Sequence, residues 1–267
     1  MLPDLELDST EEFLPIFALG TWAIRDPRAM ERTIRRAIDE GLWHIDTAEM
    51  YEGAEEVVGR AVRGRRDEVF ITTKVLPQNA SFRGTIAALE RSLRKLRTDY
   101  VDLYLLHWYD GSHPLGETME AFAYLMEQGK IAYAGVSNFS IGEMEEALKY
   151  LKVVNNQVEY NLGNFRHVEE ELLPYAESRD ITLSGYLPLW RGRWPSGRRM
   201  EVLKEVADKY GMSVPQVILN FLTRHRKIIV IFKTESEEHL LENLKSVRFR
   251  IEQEDYDRIA EAFRGEA

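Results

Sequence analysis

Short runs of β-branched and aliphatic residues recur along this chain, and each is followed by a longer stretch whose apolar positions repeat with a helical period. The runs cover residues 16–19, 43–46, 69–74, 101–107, 131–136, 153–158, 181–186 and 228–232. Eight such strand-plus-helix units, with no Gly/Ser-rich linker between any two, predict an α/β fold: one closed (β/α)8 TIM barrel rather than two doubly wound domains. Residues 1–267 are expected to form a single domain. Local punctuation agrees with the alternation. Asp26 before Pro27 reads as a helix N-cap with proline at the first helical position, and Gly41, Gly129 and Gly211 read as helix stops. Residues 5–7 and 13–15 flank a polar turn, which predicts a short N-terminal β-hairpin over the barrel's N-terminal mouth; the alternative is a frayed terminus. Residues 252–263 have the amphipathic pattern of an extra C-terminal helix packed on the outside.

In such a barrel the active site lies at the C-terminal ends of the strands, so what each apolar run ends in is informative. Nearly all end in polar residues: Asp46-Thr47, Thr73-Lys74, His107-Trp108, Ser137-Asn138, Asn156-Gln157 and Lys233. Side chains two apart on a strand share a face, so an inward Lys74 brings Thr72 with it, and an inward His107 brings Leu105. Asp46, Lys74 and His107 are each about one βα unit apart, which places them on neighbouring strands. Tyr51, in the loop after Asp46, can lean over all three.

These four residues suggest a proton donor beside a carbonyl. Free Tyr and Lys both titrate near ~10, and a phenol beside an ammonium is expected to ionise more easily, while a carboxylate keeps that ammonium charged. Negative charge developing on a carbonyl oxygen is stabilised by a Tyr51 O–H and a His107 N–H in a water-poor site. No side chain supplies a hydride, so the chemistry implies a nicotinamide. Taken alone, Lys74 with Asp46 is equally well a structural ion pair; the four together favour catalysis. His44, on the same face as Asp46, reads as a hydrogen-bonded interior histidine, and His113, His167, His225 and His239 lack ligand spacing, so no metal site is expected. Trp22 and Trp108 follow strands and are placed in a substrate pocket; Trp190 and Trp194 line it or simply pack.

Composition removes other classes. With no cysteine, thiolate nucleophiles, disulfides and Cys-type metal centres are absent. A net charge of -10 argues against a nucleic-acid partner, and the one basic cluster, Arg191, Arg193, Arg198 and Arg199, is read as a single loop suited to a small phosphorylated ligand. No apolar run is long enough to span a bilayer, and Asp4, Glu6 and Asp8 do not resemble a secretory leader, so a cytoplasmic protein without a membrane partner is expected.

The segments Leu19-Gly20-Thr21-Trp22, Ile45-Asp46-Thr47-Ala48 through Tyr51, Thr73-Lys74, Leu105-Leu106-His107-Trp108, Gly135-Val136-Ser137-Asn138-Phe139 and Asn156-Gln157-Val158-Glu159-Tyr160 together resemble aldo-keto reductases, and they occur in that family's order. The resemblance runs from the first barrel strand to the last helix. It implies NAD(P)H-dependent reduction of aldehydes or ketones, with Tyr51 as proton donor, Lys74 and Asp46 tuning it and His107 orienting the carbonyl. It also implies that Ser137, Asn138 and Gln157 hold the nicotinamide carboxamide beside Asp46, and that Tyr186 stacks on the ring. Gly20, Thr21 and Trp22 match positions that touch cofactor and substrate, with Met50 and Trp108 completing the pocket. Leu187 and Leu189 fall on the pyrophosphate side, and Lys233, Thr234, His239, Glu242 and Asn243 fall where the family binds the adenosine half and its 2′-phosphate.

Three positions depart from the family pattern. The usual Ile-Pro-Lys-Ser reads Ile231-Phe232-Lys233-Thr234, the expected arginine is His239, and a pyrophosphate-binding serine is Leu187. NADPH is therefore expected as cofactor with NADH also used. The chain is short after its last helix, so a C-terminal substrate loop is expected to be missing. A small-molecule carbonyl is the expected partner of a monomer, with a weak homo-oligomer as the alternative. Two other readings compete: a non-catalytic NADP-binding redox-sensing subunit, and a lyase or aldolase in which Lys74 forms a Schiff base.

Overall fold

A computed structural model describes residues 2–8 and 10–264. Strands β1 (Asp4–Glu6) and β2 (Phe13–Pro15) form an antiparallel hairpin, so the terminus is not frayed there. Eight further strands follow: β3 (Phe17–Gly20), β4 (His44–Asp46), β5 (Phe70–Val75), β6 (Val101–Leu106), β7 (Ile131–Ser137), β8 (Asn155–Glu159), β9 (Thr182–Tyr186) and β10 (Ile228–Phe232). Each is parallel to its successor, and β10 pairs with β3 to close the barrel. Every predicted run overlaps one strand, with ends shifted by one or two residues; Val153 and Val154, for example, are buried ahead of β8 rather than part of it.

The helices are α1 (Pro27–Asp39), α2 (Ala54–Ala61), α3 (Phe82–Leu96), α4 (Leu115–Glu127), α5 (Ile141–Ala147), α6 (Phe165–His167), α7 (Leu173–Ser178), α8 (Arg198–Tyr210), α9 (Val214–Leu222), α10 (Glu237–Lys245) and α11 (Gln253–Ala262). A π-helical turn at Val168–Leu172 joins α6 to α7. Asp26 caps α1 as its sequence predicts, accepting N–H bonds from Arg28 and Ala29 at 2.9 and 3.0 Å. Gly211 ends α8 at φ 62°, a left-handed turn that glycine adopts without strain, and Ser213 with Gln216 opens α9 by a capping box. Arg198 and Arg199 form the first turn of α8, which corrects the reading of the basic cluster as one loop; only Arg191 and Arg193 precede the helix.

Strand alternation sorts the side chains into an interior and an outer layer. Lys74 is level with Leu105 and Gly135 across β5, β6 and β7, whereas Tyr104 faces outward and packs its ring 5.2 Å from Phe122 of α4. One layer deeper, Nε2 of the buried His44 hydrogen-bonds Thr72 Oγ1 at 2.9 Å, the interior role expected for it. Its imidazole is held neutral, its pKa pushed down to about 3 by burial and the Lys74 charge. The hairpin lies at the opposite mouth from the polar strand ends: the Asp8 N–H donates to Thr182 Oγ1 at the start of β9 (2.8 Å). On the outside, Asp255 of α11 accepts from Lys209 and Tyr210 at the end of α8, at 2.7 and 2.8 Å. No helix among the described residues is long and apolar enough to cross a membrane.

Candidate active site

Lys74 projects from β5 into the barrel with no solvent exposure. Its ammonium donates to both oxygens of Asp46 on the neighbouring β4, at 2.8 and 2.9 Å, and to the Thr47 carbonyl at 2.8 Å. Three acceptors thus surround the ammonium, and the Tyr51 hydroxyl is a further hydrogen-bonding partner. Burial works to neutralise this lysine, but Asp46 and Tyr51 outweigh it and hold its pKa above the ordinary value. A lysine so bound is a poor amine nucleophile, which removes the physical basis of the Schiff-base reading.

Tyr51 lies in the loop between β4 and α2, its ring centroid 5.2 Å from Lys74 Nζ and 5.8 Å from the His107 ring in an edge-on arrangement. The side chain of Asp46 thus supports Lys74, and Lys74 sits against Tyr51. The expectation of an easily ionised phenol is not met. Burial raises the Tyr51 pKa more than the Lys74 charge lowers it, with Asp46 opposing the lysine, so the net displacement is upward from the ordinary value. The phenol is therefore a firmly protonated hydrogen-bond donor. His107, just past β6, is likewise neutral: burial and then the Lys74 charge push its pKa down to about 3. Its Nδ1 is buried and has no hydrogen-bond partner.

On the far wall, Gln157 of β8 donates from Nε2 to Asp46 Oδ2 at 2.7 Å. The same carboxylate therefore accepts from Lys74 and from Gln157, and in this arrangement that amide hydrogen is not turned toward a ligand. Ser137 Oγ donates to the Gln157 carbonyl (2.8 Å), and Asn138, exposed and in a left-handed conformation at φ 60°, donates to the His107 carbonyl and Ser137 Oγ, each at 3.1 Å. Tyr186, at the end of β9, donates its hydroxyl to Asn138 Oδ1 at 2.8 Å, which fixes the half-buried ring. Opposite, Gly20 lies against β10: a Cβ there would meet Ile231 Cγ2 at 3.2 Å, a tight contact that the Ile231 side chain would have to relieve. Thr21 is fully buried and donates to the Asp46 carbonyl at 2.9 Å. Amide and hydroxyl groups on one wall and a fixed aromatic face beside them fit a flat heterocycle bearing a carboxamide.

The whole chain compares closely with known proteins. Residues 17–264 match the Aldo/keto reductase family. The chain belongs to that family. Among aldo/keto reductases, it is 39% identical over 241 residues to methylglyoxal reductase YeaE of Escherichia coli strain K12, covering 86% of this chain and 84% of the relative. It is 36% identical over 251 residues to glyoxal reductase of Bacillus subtilis strain 168, covering 92% and 88%. An aldo/keto reductase from Klebsiella pneumoniae, crystallised with NADP and acetate, superposes with a TM-score of 0.89 at 35% identity, over 97% of this chain and 95% of that one.

The peripheral residues of this aldo/keto reductase separate into two groups. At the mouth, Trp22 and Met50 are exposed and Trp108 is half-buried, its ring 5.1 Å from that of His107. Trp190 instead stacks on Phe263, with ring centroids 6.1 Å apart. Leu187 takes φ 62° and Leu189 is half-buried, so both lie in the irregular segment between β9 and α8. The residues expected on the adenosine side gather around the start of α10. Lys233 is exposed, Thr234 is buried with Oγ1 accepting the Ser236 N–H at 3.1 Å, His239 is exposed in the first turn, and Glu242 and Asn243 follow on the next.

Two residues make contacts that sequence reasoning did not foresee. Arg191, known only as part of a basic cluster, lays its guanidinium 3.8 Å from the centroid of the Trp22 ring, at the mouth. Glu235 pairs with Lys233, and its oxygens accept the N–H groups of Arg25 and Asp26 at 3.0 and 2.7 Å. The only sequence signal for Glu235 is a carboxylate two residues from a loop lysine.

Proposed function

We propose that this aldo/keto reductase acts as a single domain that reduces the carbonyl of a small aldehyde or ketone to an alcohol, with Tyr51 as proton donor. The observation that carries the reading is the buried chain Gln157–Asp46–Lys74, which ends beside the Tyr51 ring and near a neutral His107. A bound nicotinamide supplies the hydride. NADPH is the proposed form, in keeping with the NADP-bound structure of the Klebsiella relative, with NADH also used.

Tyr51 holds the reacting proton on its phenolic oxygen. Its elevated pKa keeps it fully protonated at neutral pH, yet a phenol remains a far stronger acid than an aliphatic alcohol, so transfer to a developing alkoxide is downhill. Lys74, fixed as a cation by Asp46, stabilises negative charge left on the phenol. His107 stays neutral and donates an N–H to the carbonyl oxygen, orienting it without competing for the proton. Ser137, Asn138 and Tyr186 form the surface against which the nicotinamide is held, and Gln157 reaches it through its remaining oxygen. Trp22, Met50 and Trp108 give the substrate an apolar entrance. The curated relatives act on glyoxal and methylglyoxal by name, and small α-dicarbonyls are the proposed substrate class here.

Steady-state oxidation of NADPH against a panel of α-dicarbonyls, simple aldehydes, ketones and keto-acids tests the proposal. Turnover is expected with the dicarbonyls and aldehydes. Cofactor binding without turnover on any member of the panel would replace this reading with that of a cofactor-binding regulatory subunit.

A further inference from the structure

The loops after the last two strands of a (β/α)8 barrel, with the N-terminus of a short helix, are a recurrent phosphate-binding place. Here that region offers one cation from the β10 end, Lys233, and it is already engaged. Its ammonium is paired with Glu235 and donates to the Ala23 carbonyl at 3.3 Å. Glu235 is itself held in place: only 16% of its side chain is exposed, and its two oxygens accept the Arg25 and Asp26 N–H groups from the β3–α1 loop. Burial opposes its charge, yet Lys233 and those two N–H groups prevail and keep its carboxyl below the usual range. The next turn adds Glu237 and Glu238, of which Glu237 lies 3.7 Å from Arg32, so the neighbourhood contributes no net positive charge.

We propose that Glu235 sets the nicotinamide preference of this chain: it occupies Lys233 as an internal counter-anion, so a 2′-phosphate must displace it, and NADPH loses most of its advantage over NADH. The inference rests on the reading of Lys233 as the cation facing that phosphate. An anion two residues away both neutralises the lysine and repels a dianionic group brought to it, whereas a ribose 2′-hydroxyl suffers neither penalty. His239 offers an imidazole ring where a guanidinium would bind the phosphate in a bidentate manner.

The test is titration calorimetry of the full chain with NADPH, NADH, 2′,5′-ADP and 5′-AMP, in wild type and Glu235→Gln. Glutamine removes the charge and keeps one oxygen, which still accepts from one of the Arg25 and Asp26 N–H groups while the other is left to solvent. Glu235→Gln is expected to tighten NADPH and 2′,5′-ADP by about ten-fold and to leave NADH and 5′-AMP within about two-fold, with the gain shrinking at high salt. Unchanged NADH affinity also certifies that the variant is folded. Adding Lys233→Met should abolish the gain. Equal effects on both dinucleotides, or none on NADPH, overturn the inference while leaving the cofactor reading intact. Failure of the wild type to bind either dinucleotide overturns both.

Discussion

Gln157 and Asp46 are separated by 111 residues in sequence and joined by a 2.7 Å hydrogen bond across the barrel interior. The bond turns the Asp46–Lys74 pair into a network that extends from β8 to β5, with Tyr51 at its open end. A carboxylate that accepts from two donors is fixed in orientation, and so is the lysine it holds.

Replacing Tyr51 by Phe removes the proton donor and nothing that anchors the fold, since its ring contacts are kept. Turnover is expected to fall by about 10²–10³-fold or more, with NADPH affinity little changed. Stopped-flow kinetics with fluorescence titration of the cofactor checks this; near-normal turnover sinks the role given to Tyr51.

Lys74→Met leaves Asp46 buried with an unpaired charge. The loss of stability is expected to be about 3–5 kcal/mol, and the double replacement Lys74→Met with Asp46→Leu should recover much of it. Guanidinium denaturation of both variants measures the difference. The activity that remains in Lys74→Met should have its basic pH limit moved upward, because the ammonium lowers the Tyr51 pKa against the effect of burial. A profile reduced in height but not displaced would mark the pair as structural only.

His44 and His107 are both held near a pKa of about 3. In the unfolded chain each titrates near ~6.5, so between those values the unfolded state binds more protons and stability rises with pH. The stability they permit is fully present above about pH 6.5 and declines as pH falls toward 3, by about 2 kcal/mol per histidine at about pH 5. His44→Gln lies below the reacting groups and should flatten that slope. Denaturation midpoints measured at several pH values between about 5 and 8 provide the comparison, and an equal slope in both proteins would contradict the assignment.

Gly185 in β9 tests the packing of the wall that carries Tyr186. A Cβ at this position would fall 2.6 Å from Tyr160 Cβ and 2.7 Å from its Cδ1, and Tyr160 is fixed by hydrogen bonds from its hydroxyl to Glu169 and Leu222. Gly185→Ala is expected to cost about 1–3 kcal/mol and to weaken nicotinamide binding through displacement of Tyr186. Thermal unfolding alongside NADH titration reads both, and a variant as stable as wild type would show that Tyr160 yields freely.

The barrel was legible because strand order equals chain order. In that topology a spacing of about one βα unit places Asp46, Lys74 and His107 on adjacent strands, and period-two alternation decides which of their neighbours face inward. Helix stops at Gly41 and Gly211 and the cap at Asp26 are local events, written in the residues that make them. The strand ends were read less accurately, because the limit of pairing depends on the neighbouring strand as much as on the strand itself.

What only the tertiary structure decided are the properties that depend on distance through space. Sequence placed a phenol beside an ammonium and predicted easier ionisation, but whether burial or charge prevails depends on how much solvent the loop excludes, and burial prevails at Tyr51. Gln157 was assigned to a ligand by resemblance, yet its amide reaches Asp46 because the barrel closes to bring β8 opposite β4. Lys233 was assigned by resemblance to the adenosine half and its 2′-phosphate, and the fold pairs it with Glu235, whose carboxylate is positioned by two N–H groups more than two hundred residues away. Sequence thus determined which groups share the barrel's C-terminal face, since period and order are properties of the chain. The charge and hydrogen bonds those groups retain there were set by packing, since solvent exclusion and long-range contacts exist only once the barrel has closed.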